Sequence, residues 1–340
     1  MRAFPQCAGW AVTGVLTLAC AACSGANPPR TEPPVHSTRP PTVAPAQPRG
    51  TGAAVQPTPK KLQAVDRPFS PTKPKLLPPR QSPKKPKGAA SPPDHIVVVI
   101  FENKHRSNVI GNPYAPYLNK LAGQGANMTR SYGVTHPSQP NYLALFSGST
   151  QDVTSNACLR MFKKKQNLGS QLRKVGLSFT GYAEALPKAG FIGCVRGRYQ
   201  RKHNPWVNFD NLPRNSNQPF SAFPRDYRKL PTVSFVSPDM CNSMHDCSIH
   251  TGDRWMKKHF QRYAEWAEGN NSWLVVTFDE NAGGTGHTIP TIIVGAGIRP
   301  GRYAERMNHY TLLRTIEKAC GLPPVGRARA VSPLSTIWKT

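Results

Sequence analysis

His95-Ile96-Val97-Val98-Val99-Ile100-Phe101, closed by Glu102-Asn103, is the stretch whose reading decides the fold. An unbroken β-branched run of this kind suits a central parallel strand covered on both faces, because neither face has to meet water. Similar runs recur at 177–182, 232–236, 273–278 and 291–294, and helical patterns occupy 115–125, 142–146, 168–175, 253–266 and 309–319. Strands alternating with helices predict an α/β sandwich with a mainly parallel central sheet flanked by helices. In such sheets ligands gather outside the carboxyl ends of the strands, which is where Glu102 and Asn103 fall. Gly123 and Gly125 are read as stop signals for the first helix, and Asp253 as a charge at the start of the helix that carries Trp255.

The rest of the 340-residue chain divides by composition. Residues 1–26 hold Arg2 and an apolar run from Cys7 to Ala22, too short to span a bilayer comfortably, which predicts an export signal. Within it, Leu16-Thr17-Leu18-Ala19-Cys20 resembles a lipobox, so Cys20 is the candidate for lipidation; anchoring to the outer face of the membrane and simple secretion both stay open. Residues 27–93 combine proline with Lys and Arg and show almost no apolar periodicity, the composition of a disordered basic linker that cannot offset the entropy of ordering. Residues 94–340 are long enough for one domain with a full core.

The chain has 8 cysteines, and those beyond the signal are Cys158, Cys194, Cys241, Cys247 and Cys320. In an oxidising compartment Cys241 and Cys247 are near enough in sequence to clip a loop, Cys158 with Cys194 is the next natural pair, and Cys320 is left as a buried thiol. The formal net charge of +27 invites nucleic acid as a partner, but no recognition helix, zinc-finger spacing or ribonucleoprotein motif accompanies it. The charge therefore points to anionic envelope polymers or lipids, met through the linker, or to steering of anionic substrates. A monomer is expected.

Chemistry-bearing residues cluster in three places. Thr135-His136-Pro137-Ser138-Gln139-Pro140-Asn141-Tyr142 puts a hydroxyl on a proline-stiffened turn just before an apolar helix, whose free amides and partial positive charge favour a phosphate. The strand 275–278 delivers Asp279-Glu280 into a glycine-rich turn followed by His287; with Asn103 from another strand end this makes an oxygen-rich site suited to a divalent metal of unassigned identity. Ser237 through Cys247 follows a further strand, and a Cys241–Cys247 clip would hold His245 in place for charge stabilisation or protonation of a leaving group. His203 lies among cations in Lys202-His203-Asn204-Pro205, while His136, His250 and His309 are taken as packed or capping histidines.

Together with Glu102-Asn103 and His309 through Glu317, these motifs resemble the bacterial acid phosphatase and phospholipase C phosphoesterase family of the alkaline phosphatase superfamily, over nearly all of 94–324. The resemblance implies a metal held by Asn103, the Ser138 oxygen, Asp279 and Glu280 with Glu102 beside it, and a phosphoseryl intermediate formed on Ser138. It also implies that His203 and His245 stabilise charge and assist the leaving oxygen. The chain departs from the relatives at Ser243, where aspartate is common, and at His287, where arginine or asparagine is common; the role of His287 is left open.

The expected activity is hydrolysis of small phosphate monoesters outside the cytoplasm. The alternatives are a phospholipase C-type phosphodiesterase acting on phospholipid, which needs the same metal and nucleophile, and an inactive envelope-binding protein.

Overall fold

A computed structural model describes residues 92–283 and 288–339. The export signal with Cys20, the linker and His287 lie outside those residues. The opening β-branched run becomes strand β1, His95–Phe101. It is joined by β2 (Ala126–Met128), β3 (Phe179–Ala183), β4 (Asn217–Pro219), β5 (Val233–Ser237), β6 (Ser272–Phe278), β7 (Thr291–Gly295) and β8 (Gly301–Tyr303). They form one 8-stranded sheet in the order β8-β2-β7-β6-β1-β5-β3-β4. Within it only β7 runs against its neighbours, so the sheet is mainly parallel, as the sequence predicts.

The period-2 geometry of β1 divides the core. Ile96, Val98 and Ile100 face one way, onto α2 (Ser138–Ser147), α3 (Leu168–Lys174) and α5 (His309–Ala319) through Leu143, Leu172 and Leu313. Val97, Val99 and Phe101 face the other way, onto α1 (Pro116–Gln124) and α4 (Ile249–Gly269) through Leu118, Met256 and Phe260. Each such fully buried side chain contributes about 1.5–3 kcal/mol of transfer free energy. Sandwiching the strand from both sides is what allows an uninterrupted apolar run here.

Two readings of local signals change. Helix α4 begins at Ile249, with the Ser248 side chain accepting from the Thr251 amide, so Asp253 sits in its second turn and not at its start. The Asp253 carboxylate instead accepts from the Tyr117 and Leu118 amides at 3.1 and 2.7 Å, capping α1 from outside. Gly125 does follow the end of α1, but in extended backbone, φ −134°, not as a left-handed cap. A Cβ there would lie 2.3 Å from the Ile293 carbonyl oxygen, so close approach of the chain to β7 is what requires glycine.

Helix α5 buries a carboxyl. Glu317 is fully buried and accepts from the Val325 amide at 2.9 Å, and burial raises its pKa from the usual 4.5 to about 7. A raised acid pKa means stability that is present below the unfolded value and lost as pH climbs through the folded one. Glu317→Gln, which keeps the acceptor oxygen, is therefore expected to match the wild-type Tm at pH 4 and to exceed it at pH 8. Taken at roughly half the full linkage energy of that shift, the gain is about 1–2 kcal/mol. Thermal melts across that range check it; a Tm difference independent of pH would count against the assignment.

Candidate active site

Parallel register builds the site's floor. Phe101 of β1 pairs with Phe278 of β6, so the next residues, Glu102 and Asp279, emerge side by side at the carboxyl edge. Asn103 then turns with φ +49°, a left-handed conformation that asparagine tolerates better than most residues, and its amide donates to Asp279 Oδ1 at 3.0 Å. Gly133 passes beneath: a Cβ on it would meet the Asp279 carbonyl oxygen at 3.3 Å.

Ser138 is the first residue of α2, a helix buried along its whole length, and Pro137 precedes it in extended backbone. Its hydroxyl lies 3.1 Å from Glu102 Oε2 and 3.1 Å from Glu280 Oε1, so one proton is offered to two carboxylates. Asn141, one turn into the same motif, spends all its polar capacity on the turn. Its Oδ1 accepts from the Val134 and Thr135 amides, and its Nδ2 donates to the Thr135 and Pro137 carbonyls. Tyr142, at i+4 from the serine, donates its hydroxyl to Glu102 Oε1. The helical repeat places serine and tyrosine on one face, a signal legible in the spacing but not used in the sequence analysis.

The histidines sort differently from expectation. His203 is buried with Nε2 3.2 Å from Glu102 Oε1, close but off the hydrogen-bond direction, and its ring stacks on Tyr142. Burial, then Lys202 and His245, push its pKa well down, so it stands as a neutral imidazole. The Cys241–Cys247 disulfide is formed, as is Cys158–Cys194, and Cys320 is buried and free. The clipped loop brings the His245 ring centroid to 6.3 Å from that of His203, with Nδ1 2.7 Å from Asp246 Oδ1. Glu184, a residue the sequence analysis did not single out, steadies that loop by accepting from the Asp239 amide, the Asn242 side chain and Trp255 Nε1.

His136 and His309 are not mere packing. His136 Nδ1 lies 2.6 Å from Glu280 Oε2, and buried His309 donates from Nε2 to the Asp279 carbonyl. Burial lowers the His309 pKa to about 4, which keeps it neutral in that role. His250 is exposed on α4 and takes no part. Ser243 is buried and gives its carbonyl to the Glu102 amide, so it holds the strand end through backbone.

Electrostatically the site is overloaded with acid. Burial and then the Asp279 charge raise Glu102 well above the carboxylate range, burial raises Asp279, and Glu280 moves from 4.5 to about 8 by burial and the Asp279 charge. Asp279 Oδ2 is buried without a hydrogen-bond partner. Among the described residues no three His, Cys, Asp or Glu side chains form a ready-made metal cage. The oxygens that could hold a cation are those of Ser138, Asp279 and Glu280, with Asn103 joined to them through its backbone amide; the orphaned Asp279 oxygen and the uncompensated acid are the reasons. A cavity of about 840 Å³ lies along α4 beside Glu184 and is not lined by any of these residues.

The sheet and its flanking helices have the fold seen in structures of the alkaline phosphatase superfamily. A superfamily protein from Vibrio parahaemolyticus matches with TM-score 0.51 and 15% identity over 73% of this chain and 72% of that one. The lipoteichoic acid synthase LtaP from Listeria monocytogenes matches with TM-score 0.51 and 11% identity over 69% of this chain and 74% of that one. The model of the phosphoesterase family matches residues 111–323, and the chain belongs to that family. It is 49% identical over 246 residues to a phosphatidylinositol-3-phosphatase of Mycobacterium tuberculosis, covering 72% of this chain and 82% of that protein. It is 31% identical to a probable acid phosphatase of Kluyveromyces lactis, covering 68% of this chain but 59% of that longer relative. The chain is a phosphoric ester hydrolase.

Proposed function

We propose that this chain is an extracytoplasmic, metal-dependent phosphomonoesterase with Ser138 as nucleophile. The observation that carries the reading is the Ser138 hydroxyl at the start of a buried helix, 3.1 Å from both Glu102 and Glu280. Ser138 Oγ attacks phosphorus, its proton passes to the facing carboxylate, and the ester oxygen leaves with a proton from His245. Water then attacks the phosphoserine, giving a proton to His245, while Ser138 Oγ leaves phosphorus and takes its proton back from the carboxyl group, so phosphate is released and each group regains its starting state. His203, neutral and buried, offers an N–H to a phosphoryl oxygen, and Tyr142 and His309 hold Glu102 and Asp279 in place. A divalent cation held by Asn103, Ser138, Asp279 and Glu280 would lower the serine pKa and neutralise phosphoryl charge.

The phosphatase names of the relatives favour a monoester, and the Mycobacterium tuberculosis name extends the substrate class to phosphorylated lipid headgroups. The export-type N-terminus and the disulfides support action outside the cytoplasm, with Cys20 as the anchor point if the chain is lipidated. In the same reading the basic segment 27–93 meets anionic envelope polymers. Among the described residues no helix is long and apolar enough to cross a membrane.

The test is a panel of p-nitrophenyl phosphate, its bis-ester and phosphatidylcholine, each with and without chelator. The monoester should lead by about 100-fold or more in kcat/KM and should lose its turnover in chelator. Preference for either diester would replace this reading with a phospholipase C-type activity, and no turnover of any substrate by folded, metal-supplemented protein would favour a binding role.

A further inference from the structure

Beside the serine turn lie two cavities, about 570 and 530 Å³, that share the wall Tyr132-Gly133-Val134 and Arg306. The first is also lined by His136, which touches Glu280, itself an acceptor for Ser138; the cleft thus opens one residue away from the nucleophile's partner. Its charge is one-sided. The Arg306 guanidinium sits 4.4 Å over the Tyr132 ring, and among the described residues it makes no hydrogen bond or ion pair. Arg327 lies 5.9 Å over the Tyr310 ring on the second cavity's wall. Glu305, the acidic residue on that wall, is already engaged: Ser335 and Thr336 donate to its carboxylate from backbone and side chain.

An arginine stacked on an aromatic face keeps its guanidinium plane fixed and its N–H edge free, the arrangement that suits a phosphoryl group by paired hydrogen bonds. We propose that this cleft receives a second anionic phosphoryl group of the substrate, next to the one cleaved at Ser138, with Arg306 as the main specificity residue and Arg327 supporting it. The proposal deepens the monoesterase reading and rests on it. Substrates carrying two phosphoryl groups, whether soluble polyol phosphates or phosphorylated lipid headgroups, share the chemistry it recognises.

The experiment compares wild type with Arg306→Ala, Arg327→Ala and Arg306→Lys on three substrates. These are p-nitrophenyl phosphate, a soluble inositol bisphosphate, and a phosphoinositide monophosphate in phosphatidylcholine vesicles. The ratio of kcat/KM for either two-phosphoryl substrate over p-nitrophenyl phosphate should fall about 10- to 100-fold in Arg306→Ala, mainly through KM, and less in Arg327→Ala. Arg306→Lys, which keeps the charge and the stem, should recover part of the ratio. An unchanged ratio in correctly melting Arg306→Ala and Arg327→Ala proteins overturns the proposal. So does a fall confined to vesicles, which would assign the arginines to the membrane surface. Failure of wild type on p-nitrophenyl phosphate would instead remove the monoesterase reading itself.

Discussion

Replacing Ser138 with alanine is expected to lower kcat for p-nitrophenyl phosphate by about 10⁴-fold or more while leaving the fold intact. The size follows from the arrangement: the hydroxyl is the reacting group, and nothing else in the helix start can take its place, since Pro137 and Gln139 flank it and Gln139 is tied to the 155–157 segment. Stability should hardly change. The lost hydroxyl donates to carboxylates whose pKa values are raised, and α2 is fixed by its buried faces and by Asn141, neither of which alanine disturbs. Single-turnover assays and melting curves read the two quantities separately. A variant that keeps near-normal turnover would remove Ser138 as the nucleophile.

Asp279→Asn should reduce bound divalent metal, by elemental analysis, from roughly one equivalent to a small fraction, and cut activity by at least about 100-fold. Its stability consequence has a sign that depends on pH. The pKa values of Glu102, Asp279 and Glu280 are raised in the folded protein, so in chelator the site favours folding below the unfolded carboxylate range and opposes it as pH rises. The window runs from about 4.5, the ordinary value for Glu280, to about 8, its folded value. Metal-free wild type should therefore lose Tm between pH 5 and pH 8, metal should restore it, and Asp279→Asn should flatten the loss. Equal metal content in the variant would remove Asp279 from the ligand set.

Much of the site was legible because its parts stand at strand ends. An apolar run that stops on Glu102-Asn103 and another that stops on Asp279-Glu280 announce the carboxyl edge of a parallel sheet, whatever the register. Register itself was not legible: that Phe101 meets Phe278, and so that Glu102 and Asp279 lie abreast, follows from pairing of strands far apart in the chain. Asp253 shows the same limit from the other side. Its position at the opening of the Trp255 helix suggested a charge serving that helix's own N-terminus, yet its partners are amides of α1, more than a hundred residues upstream. His136 and His309 were passed over because a histidine's own neighbours do not reveal which carboxylate or carbonyl it will meet.

Alternation of β-branched runs with helical periods, the proline-stiffened serine turn and the short cysteine spacing determined locally, from the chain alone, a parallel α/β sheet with acid and hydroxyl at one edge. Those are properties of neighbouring residues, set by backbone propensity and by which faces must avoid water. Which carboxylates share the serine's proton, which histidines are neutral, and where Arg306 stacks beside the turn were decided only by tertiary packing. Burial and long-range contact set those states, and both depend on segments that meet only after the chain has folded.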